Sequence, residues 1–264
     1  MKKTLYKQIT LLICIMTISL IAVSSSFAIE GLVGAWLFDT GSGKVAIDAS
    51  GNGHDGELVG NAGWEKNGKF GSALSCDGTE AYVMVPDSED FEFDGDFTIA
   101  CWIQNSQPPS NHSSFVTKGY DKPSGAGGDA RPWYLLYFLT TGTVDMFLRD
   151  SNGTNSRAQG VTPVNDGKWH HIVGLKDGDQ VRIYVDGKED GTAPAVDDTY
   201  GKNDQPLVFM VHYHRWIKGL LDEVAIFNRA LSEDEISSLM NGLQSVLAVD
   251  TKGKLATTWA KLKK

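Results

Sequence analysis

The sequence predicts an all-β protein built as a two-sheet antiparallel sandwich, from three observations. Short runs rich in β-branched and aromatic residues recur through most of the chain, separated by Gly, Asp and Asn. No long helical period occurs before residue 232, and an Asp-Gly step joins two alternating runs at 186–187. Regularly spaced short strands with turn signals between them are typical of such sandwiches.

The N-terminus has the pattern of a cleavable secretory signal peptide over residues 1–28. Lys2, Lys3 and Lys7 precede an apolar run at 11–23, and small residues follow it, with Ala28 at the expected cleavage point. A run of 13 residues is too short to span a bilayer as a helix. We therefore expect a protein that is secreted to the extracellular space or the periplasm and is not inserted into a membrane.

The mature chain is strongly acidic. Removing the three N-terminal lysines leaves 21 basic and 33 acidic side chains, since the whole chain has 24 and 33, and the formal charge becomes -12. A surface of this sign repels phosphate backbones and anionic lipids. Nucleic acid is therefore excluded as an expected partner.

Several strands can be assigned from side-chain alternation. In the run 180–185, Val181 and Ile183 share one face, and the Asp-Gly step that follows suits a tight hairpin turn. The run 133–139 is apolar on both faces, which predicts a central strand covered on both sides. The segment 144–148 is predicted as the next strand.

Two cysteines remain after signal cleavage, and the sequence leaves their pairing open. Cys76 and Cys101 each occupy a strand-like run at a position that alternation turns inward. An oxidising compartment permits a disulfide. Two small buried thiols are the equal alternative, because sequence spacing does not establish the Cα separation that a bridge needs.

One short C-terminal helix is predicted after the last strand. Ser232 and Glu235 form a capping box, and Ile236, Leu239 and Met240 give an apolar stripe that ends at Asn241-Gly242. Residues 243–264 are predicted to be a flexible tail. The segment 105–131 is rich in Pro, Ser and Gly and is predicted to be a long loop without a regular element.

Four segments in order resemble the LamG-like family of laminin G, pentraxin and concanavalin A-like domains. They are 31–39 with 48–56; 68–74 with 82–86 and 97–103; 166–171 with 184–188; and 219–232. The resemblance covers nearly all of a domain that we place at 29–242. It implies a jelly-roll sandwich from a family that mostly binds ligands rather than catalysing reactions.

The resemblance also implies a structural Ca²⁺ ion that ties the 48–56 loop to the last strand. Asp222 is the expected side-chain ligand, with Asp48 and Asn52 as companions. Carboxylate and amide oxygens on a glycine-bent loop suit the many oxygen ligands of Ca²⁺. The alternative is that Asp48 and Asn52 form Asx turns without a metal.

A ligand-binding surface is predicted around His212, His214 and Trp216. These residues alternate, so that in a single strand they would project from one face. A tryptophan beside polar groups can stack on a sugar ring. Trp133, near the long loop, is a further candidate, and a polar outer sheet face with one half-buried tryptophan is the alternative reading.

No catalytic residue is predicted. The chain contains no GxSxG or HExxH motif, and Glu92, Asp94 and Asp96 fall in a turn before the strand at 97 rather than on a strand face. His170 and His171 are interpreted as framework residues. The expected function is a non-catalytic carbohydrate-binding module with a glycan partner. A domain that binds an extracellular protein in adhesion or assembly is the alternative, and a laminarinase-type glycoside hydrolase is disfavoured.

Overall fold

The computed structural model describes residues 30–119, 132–196 and 198–247. The predicted signal peptide at 1–28 lies outside these ranges. The first nine strands are β1 Leu32–Trp36, β2 Val45–Ala46, β3 Gly56–Val59, β4 Gly63–Glu65, β5 Ala73–Asp77, β6 Tyr82–Val85, β7 Phe97–Gln104, β8 Ser113–Lys118 and β9 Trp133–Phe138. The others are β10 Val144–Arg149, β11 Asn155–Ala158, β12 Trp169–Asp177, β13 Gln180–Val185, β14 Lys188–Pro194, β15 Leu207–Phe209, β16 Val211–His212, β17 Arg215–Trp216 and β18 Lys218–Phe227.

The strands form two large antiparallel sheets, as the sequence predicts. The first sheet has the order β14-β13-β12-β7-β18-β5-β4, and β1 pairs with β18 beside β5. The second has the order β11-β10-β9-β8-β15-β6-β3-β2, and β16 and β17 form a separate hairpin. The predicted strand at 133–139 is β9, which lies inside the second sheet with five of its six residues buried. The predicted central position is confirmed.

The main hydrophobic core lies between the two sheets. Ile99 and Ile226 of the first sheet and Leu136 and Phe209 of the second are all fully buried in it. The alternating pattern of β13 also holds, with Val181 and Ile183 in the core. Asp186 and Gly187 both have positive φ, of 50° and 77°, which is the geometry of the tight turn that an Asp-Gly step favours.

Two short helices cover the outer face of the first sheet. Helix α1, Glu233–Leu239, begins at Ser232 with the predicted capping box, and Ile236 and Leu239 pack on the sheet. Helix α2, Leu243–Leu247, follows at once, and its Leu243 is only 2% exposed. The prediction of a flexible tail from residue 243 is therefore wrong for 243–247, because Leu243 is buried in the same apolar layer. No helix in the described ranges has the length and hydropathy that membrane crossing requires.

The prediction of a long loop without a regular element over 105–131 is wrong for 113–118. These residues form β8, a six-residue strand that is buried throughout and pairs with β9 and β15. Polar residues are buried because the strand is internal to the sheet: the Lys118 ammonium lies 2.8 Å from Asp87 and 3.0 Å from the Asn203 carbonyl oxygen. Residues 120–131 lie outside the described ranges.

The two cysteines are free thiols that both face the main core. Cys76 lies on β5 opposite Gly219, and Cys101 lies on β7 on the other side of β18, four residues further along. Two strand spacings and four residue rises place their Cα atoms ~16 Å apart. A disulfide requires less than about 7 Å, so this fold resolves the open question in favour of two buried thiols.

Candidate functional site

An irregularity in β18 determines where the predicted metal ligand Asp222 lies. The pairing of β18 with β7 shifts between Asp222 and Ala225, because β18 carries one extra residue at this point. The extra residue is Glu223, whose φ is +51°. Leu221 and Val224 both face the core, so the bulge leaves two consecutive acids, Asp222 and Glu223, outside the main core.

The Asp222 carboxylate is buried and is held by backbone amides. Its Oδ2 atom accepts hydrogen bonds from Lys69 N at 2.8 Å and Phe70 N at 3.1 Å, and its Oδ1 atom accepts one from Glu223 N at 2.9 Å. A Cβ added to Gly68 would lie 2.8 Å from Oδ2, so the 68–70 loop is closely packed on the carboxylate. Burial raises the pKa of Asp222 to about 8, although these hydrogen bonds favour the anion.

Asp48 and Asn52 form hydrogen bonds that fasten their own loop to β1. The Asp48 carboxylate accepts hydrogen bonds from the backbone N–H groups of Ala35, Ser50, Gly53 and His54, at distances of 2.9–3.1 Å. The Ser50 N–H bond closes an Asx turn of the kind that the sequence left as the alternative. The Asn52 amide donates to the carbonyl oxygens of Leu32 and Val33.

The three predicted calcium ligands therefore do not form a visible cation site. The carboxylate oxygens of Asp222 and Asp48 face N–H donors, whose positive ends occupy the directions from which a cation would approach. Within the described ranges, no group of three His, Cys, Asp or Glu side chains is arranged to hold a metal ion. Calcium binding stays a prediction, and the arrangement of donors does not fit it.

The segment that contains His212, His214 and Trp216 is a hairpin and not a single strand. Val211 pairs with Trp216 and His212 pairs with Arg215, so that the two-residue turn is Tyr213-His214. Directly paired residues share a face, which places His212 and Trp216 on opposite faces. The predicted common face for the three side chains is therefore wrong, because the chain reverses direction between them.

His212 is buried and packs against the partly buried ring of Tyr137. The His212 ring packs edge-on against Tyr137, with centroids 5.3 Å apart, and burial lowers the pKa of His212 to about 3. The fourth predicted ligand residue, Trp133, lies on the same strand as Tyr137 and is 2% exposed. Its ring packs against Phe147 with ring centroids 4.9 Å apart. Neither His212 nor Trp133 is open to a ligand in this conformation.

Trp216, in contrast, lines an open cleft of about 310 Å³, which we call the Trp216 cleft. Its walls are Asp77, Gly78 and the segments 106–110 and 216–218. Trp216 is half-buried, and His214 lies beside it with ring centroids 6.1 Å apart. The structure thus brings together His214 and Trp216 of the four predicted ligand residues.

The rim of the Trp216 cleft is held by a buried amide. Asn105 is 1% exposed, and its Nδ2 atom donates to the Lys218 carbonyl oxygen at 2.7 Å. The backbone carbonyl oxygen of Asn105 accepts a hydrogen bond from Gly167 N at 2.8 Å. Asn105 thereby joins the Pro-rich wall at 106–110 to β18, and the two sides of the cleft keep a defined separation.

Asp77, Gln107 and Lys218, which the sequence does not predict as site residues, add polar groups to the cleft. Asp77 accepts hydrogen bonds from Thr79 N at 2.7 Å and from the Asn61 amide at 3.0 Å, so its carboxylate orientation is set. These residues come from three distant segments, and only the Pro108-Pro109 step marked one of them as unusual. The pairing of β5 with β18 and the Asn105 hydrogen bond to Lys218 bring them together.

The interpretation of His170 and His171 as framework residues agrees with their surroundings. The ring nitrogens of His170 lie 2.9 Å from Asp186 and 3.0 Å from Asp166. His171 is 2% exposed, and burial lowers its pKa to about 4. His170 thereby links the turn before β12 to the turn after β13, and the His171 ring packs against Trp102 with ring centroids 5.1 Å apart.

Comparisons with known proteins agree with this architecture. The family model Laminin_G_3, described as the concanavalin A-like lectin/glucanases superfamily, matches residues 77–237. A search of curated protein sequences found no match.

Among solved structures, the binding domain of Paraclostridial Mosquitocidal Protein 1 superposes with a TM-score of 0.66 at 18% identity, over 81% of this chain and 52% of that one. Domain 4 of AbnA, a GH43 extracellular arabinanase from Geobacillus stearothermophilus in complex with arabinotriose, gives 0.62 at 20% identity, over 79% and 98%. The receptor binding domain of botulinum neurotoxin D gives 0.61 at 14% identity, over 81% and 53%.

The likeness at these identities concerns the fold, and the chain spans about half the length of the two toxin domains. The family match covers more than half of the chain and agrees with the two-sheet antiparallel architecture. The predicted resemblance is thereby confirmed, and the chain belongs to the Laminin_G_3 family of the concanavalin A-like lectin/glucanases superfamily.

Proposed function

We propose that this protein is an exported, non-catalytic binding module that holds a glycan in the Trp216 cleft. The observation that carries the proposal is the composition of that cleft. Trp216, which is half-buried, lines the same space of about 310 Å³ as the polar residues Asp77, Gln107 and Lys218. Sugars present apolar C–H faces and hydroxyl edges, and this combination suits both.

The volume of the cleft is consistent with a small ligand segment. Ligand pockets commonly measure about 300–1,000 Å³, so this cleft lies at the lower limit. It suits one or a few sugar units better than an extended protein surface, which needs a larger apolar patch with a polar rim. The arabinotriose that accompanies the structurally similar AbnA domain supports a glycan as the first ligand class to test.

The number of carboxylates in the Trp216 cleft supports binding rather than hydrolysis. Glycosidases use two carboxylates on either side of the bond to be cleaved, whereas the cleft walls carry one, Asp77. The acids that the sequence singled out for this role are engaged elsewhere. Asp94 accepts a hydrogen bond from the Thr199 hydroxyl, and Asp96 accepts one from Gly178 N at 2.7 Å.

A glycan array followed by calorimetry tests the proposal. Wild-type protein should bind a defined glycan class, and Trp216→Ala should lower its affinity at least tenfold, which equals about 1.4 kcal/mol. Trp216→Phe should retain part of the affinity, because a smaller ring still stacks. Trp64→Ala is the matched control, since Trp64 is also half-buried but does not line the cleft.

Two outcomes would contradict the glycan proposal. Equal binding by wild type and Trp216→Ala would exclude the cleft as the site. Silence across the array would favour an extracellular protein as the ligand, which is the alternative that the sequence left open.

A further inference from the structure

The turn between β16 and β17 holds two large side chains in a backbone conformation that they rarely adopt. Tyr213 and His214 have φ values of 51° and 56°, and Met210, just before β16, has a φ of 68°. A two-residue turn with positive φ at both positions normally contains Asn-Gly or a similar pair, because a Cβ is disfavoured there. Three of the seven non-glycine residues with positive φ in the described ranges thus lie within 210–214.

The hairpin is braced so that this strain persists. The Ser113 hydroxyl donates to the Arg215 carbonyl oxygen at 2.5 Å, and the Arg215 guanidinium donates to the His112 carbonyl oxygen at 3.3 Å. Met210 N donates to the Phe115 carbonyl oxygen at 2.9 Å. Strained residues last only where the surroundings over-determine them, and such residues concentrate at binding and catalytic sites.

The strained turn produces a row of rings that begins in the Trp216 cleft. The ring centroids of Trp216 and His214 are 6.1 Å apart, and those of His214 and Tyr213 are 6.4 Å apart. Tyr213, at the far end, is 47% exposed, and the Arg215 guanidinium lies 5.7 Å from its ring centroid. Neither His214 nor Tyr213 lines the cleft, so a ligand that contacts Trp216 inside the cleft and also Tyr213 has to extend beyond it.

We propose that Tyr213 and His214 extend the Trp216 cleft and select an oligosaccharide chain over its monosaccharide. This inference rests on the proposed glycan-binding function and adds the ligand length and the residues that read it. One ring occupies the cleft against Trp216, and the following units of the chain lie along His214 and Tyr213. The strain at the turn is retained because an unstrained Asn-Gly turn would carry no rings.

The test replaces the turn by the sequence that its backbone prefers. In the double variant Tyr213→Asn/His214→Gly, relief of the strained backbone should raise the melting temperature by about 2–4 °C. Affinity should be measured by calorimetry for arabinotriose, xylotriose, cellotriose and mannotriose and for the four monosaccharides. For the trisaccharide that wild type binds, the variant should lose at least tenfold in affinity, while monosaccharide affinity should stay within twofold.

Glu80→Gly is the matched control, because Glu80 is also an exposed non-glycine residue with positive φ, at 53°, and does not line the cleft. It should relieve strain without changing affinity. A double variant that keeps the full preference for the trisaccharide overturns the inference and leaves the cleft proposal intact. The same holds if wild type binds monosaccharide and trisaccharide equally. If wild type binds none of the eight sugars, the cleft proposal fails, and this inference fails with it.

Discussion

The buried carboxylate of Glu223 should make the protein less stable as the pH rises, and Glu223→Gln should remove that loss. Glu223 is 3% exposed, and its Oε2 atom accepts a hydrogen bond from Leu243 N, at the start of helix α2. Its Oε1 atom is buried without a hydrogen-bond partner in the described ranges. Burial, and then the nearby charge of Asp39, raises the pKa of Glu223 to about 7.

The sign of the effect follows from linkage. The folded state keeps the Glu223 proton up to about pH 7, whereas the unfolded chain releases it near pH 4.5. Folding is therefore opposed by ionisation, and stability falls between these two values and stays low above pH 7. The gap between them corresponds to about 3 kcal/mol, because one pKa unit equals about 1.4 kcal/mol.

The assay is urea unfolding, followed by tryptophan fluorescence, at pH 5 and pH 8.5. Glutamine keeps an acceptor for Leu243 N but carries no charge. Relative to wild type, Glu223→Gln should gain about 3 kcal/mol at pH 8.5 and less than about 1 kcal/mol at pH 5. Asp222, whose pKa burial raises to about 8, is present in both proteins, and loss of the Glu223 charge removes a smaller cause that also raises the pKa of Asp222.

Glu57→Gln, at an exposed glutamate of β3, is the control and should change stability by less than about 0.5 kcal/mol at either pH. The reasoning is refuted if the difference between Glu223→Gln and wild type is the same at pH 5 and pH 8.5. A loss of stability at both pH values would show that an amide replaces the carboxyl group poorly at this position in either protonation state.

Three further outcomes are expected. Lys118→Met should lower the free energy of unfolding by about 2 kcal/mol in urea titrations, because the lost ammonium is bound to Asp87 and to Asn203; an unchanged midpoint would contradict a stabilising role for this contact. Treatment with EDTA should leave the melting temperature unchanged, since N–H donors hold Asp222 and Asp48; a melting temperature that falls with EDTA and is restored by Ca²⁺ would support the calcium hypothesis. Burial raises the pKa of both Cys76 and Cys101, so that iodoacetamide should alkylate them only after denaturation; a mass that changes on reduction would point to a disulfide.

The features that the sequence predicts well are those encoded within a few residues. The turn at Asp186-Gly187, the capping box of Ser232 and Glu235, and the alternation of β13 each depend on neighbours in the chain. The hairpin at 211–216 was not predicted, because Tyr213-His214 lacks the Asn or Gly that marks a tight turn. Its geometry comes from bracing by β8, which local patterns do not contain.

The candidate site was predicted only in part for the same reason. Trp216 was recognised by residue type, whereas Asp77 and Gln107 reach the cleft through strand pairing and loop anchoring. The prediction of Asp222 as a metal ligand does not take the 68–70 loop into account. This loop lies about 150 residues earlier in the chain and donates two backbone hydrogen bonds to the Asp222 carboxylate. Long-range backbone donors of this kind leave no trace in a local sequence pattern.

The bulge in β18 has a consequence for how the strand can change in length. Loss of one residue from a strand normally turns every later side chain to the opposite face. In β18, two residues separate Leu221 from Val224, and both of these side chains nevertheless face the core because Glu223 is an extra residue in the bulge. Deletion of Glu223 would therefore restore strict alternation through Leu221, Asp222 and Val224 with the core side chains in place. β18 is open to shortening at this position, at the expense of the contact that anchors helix α2.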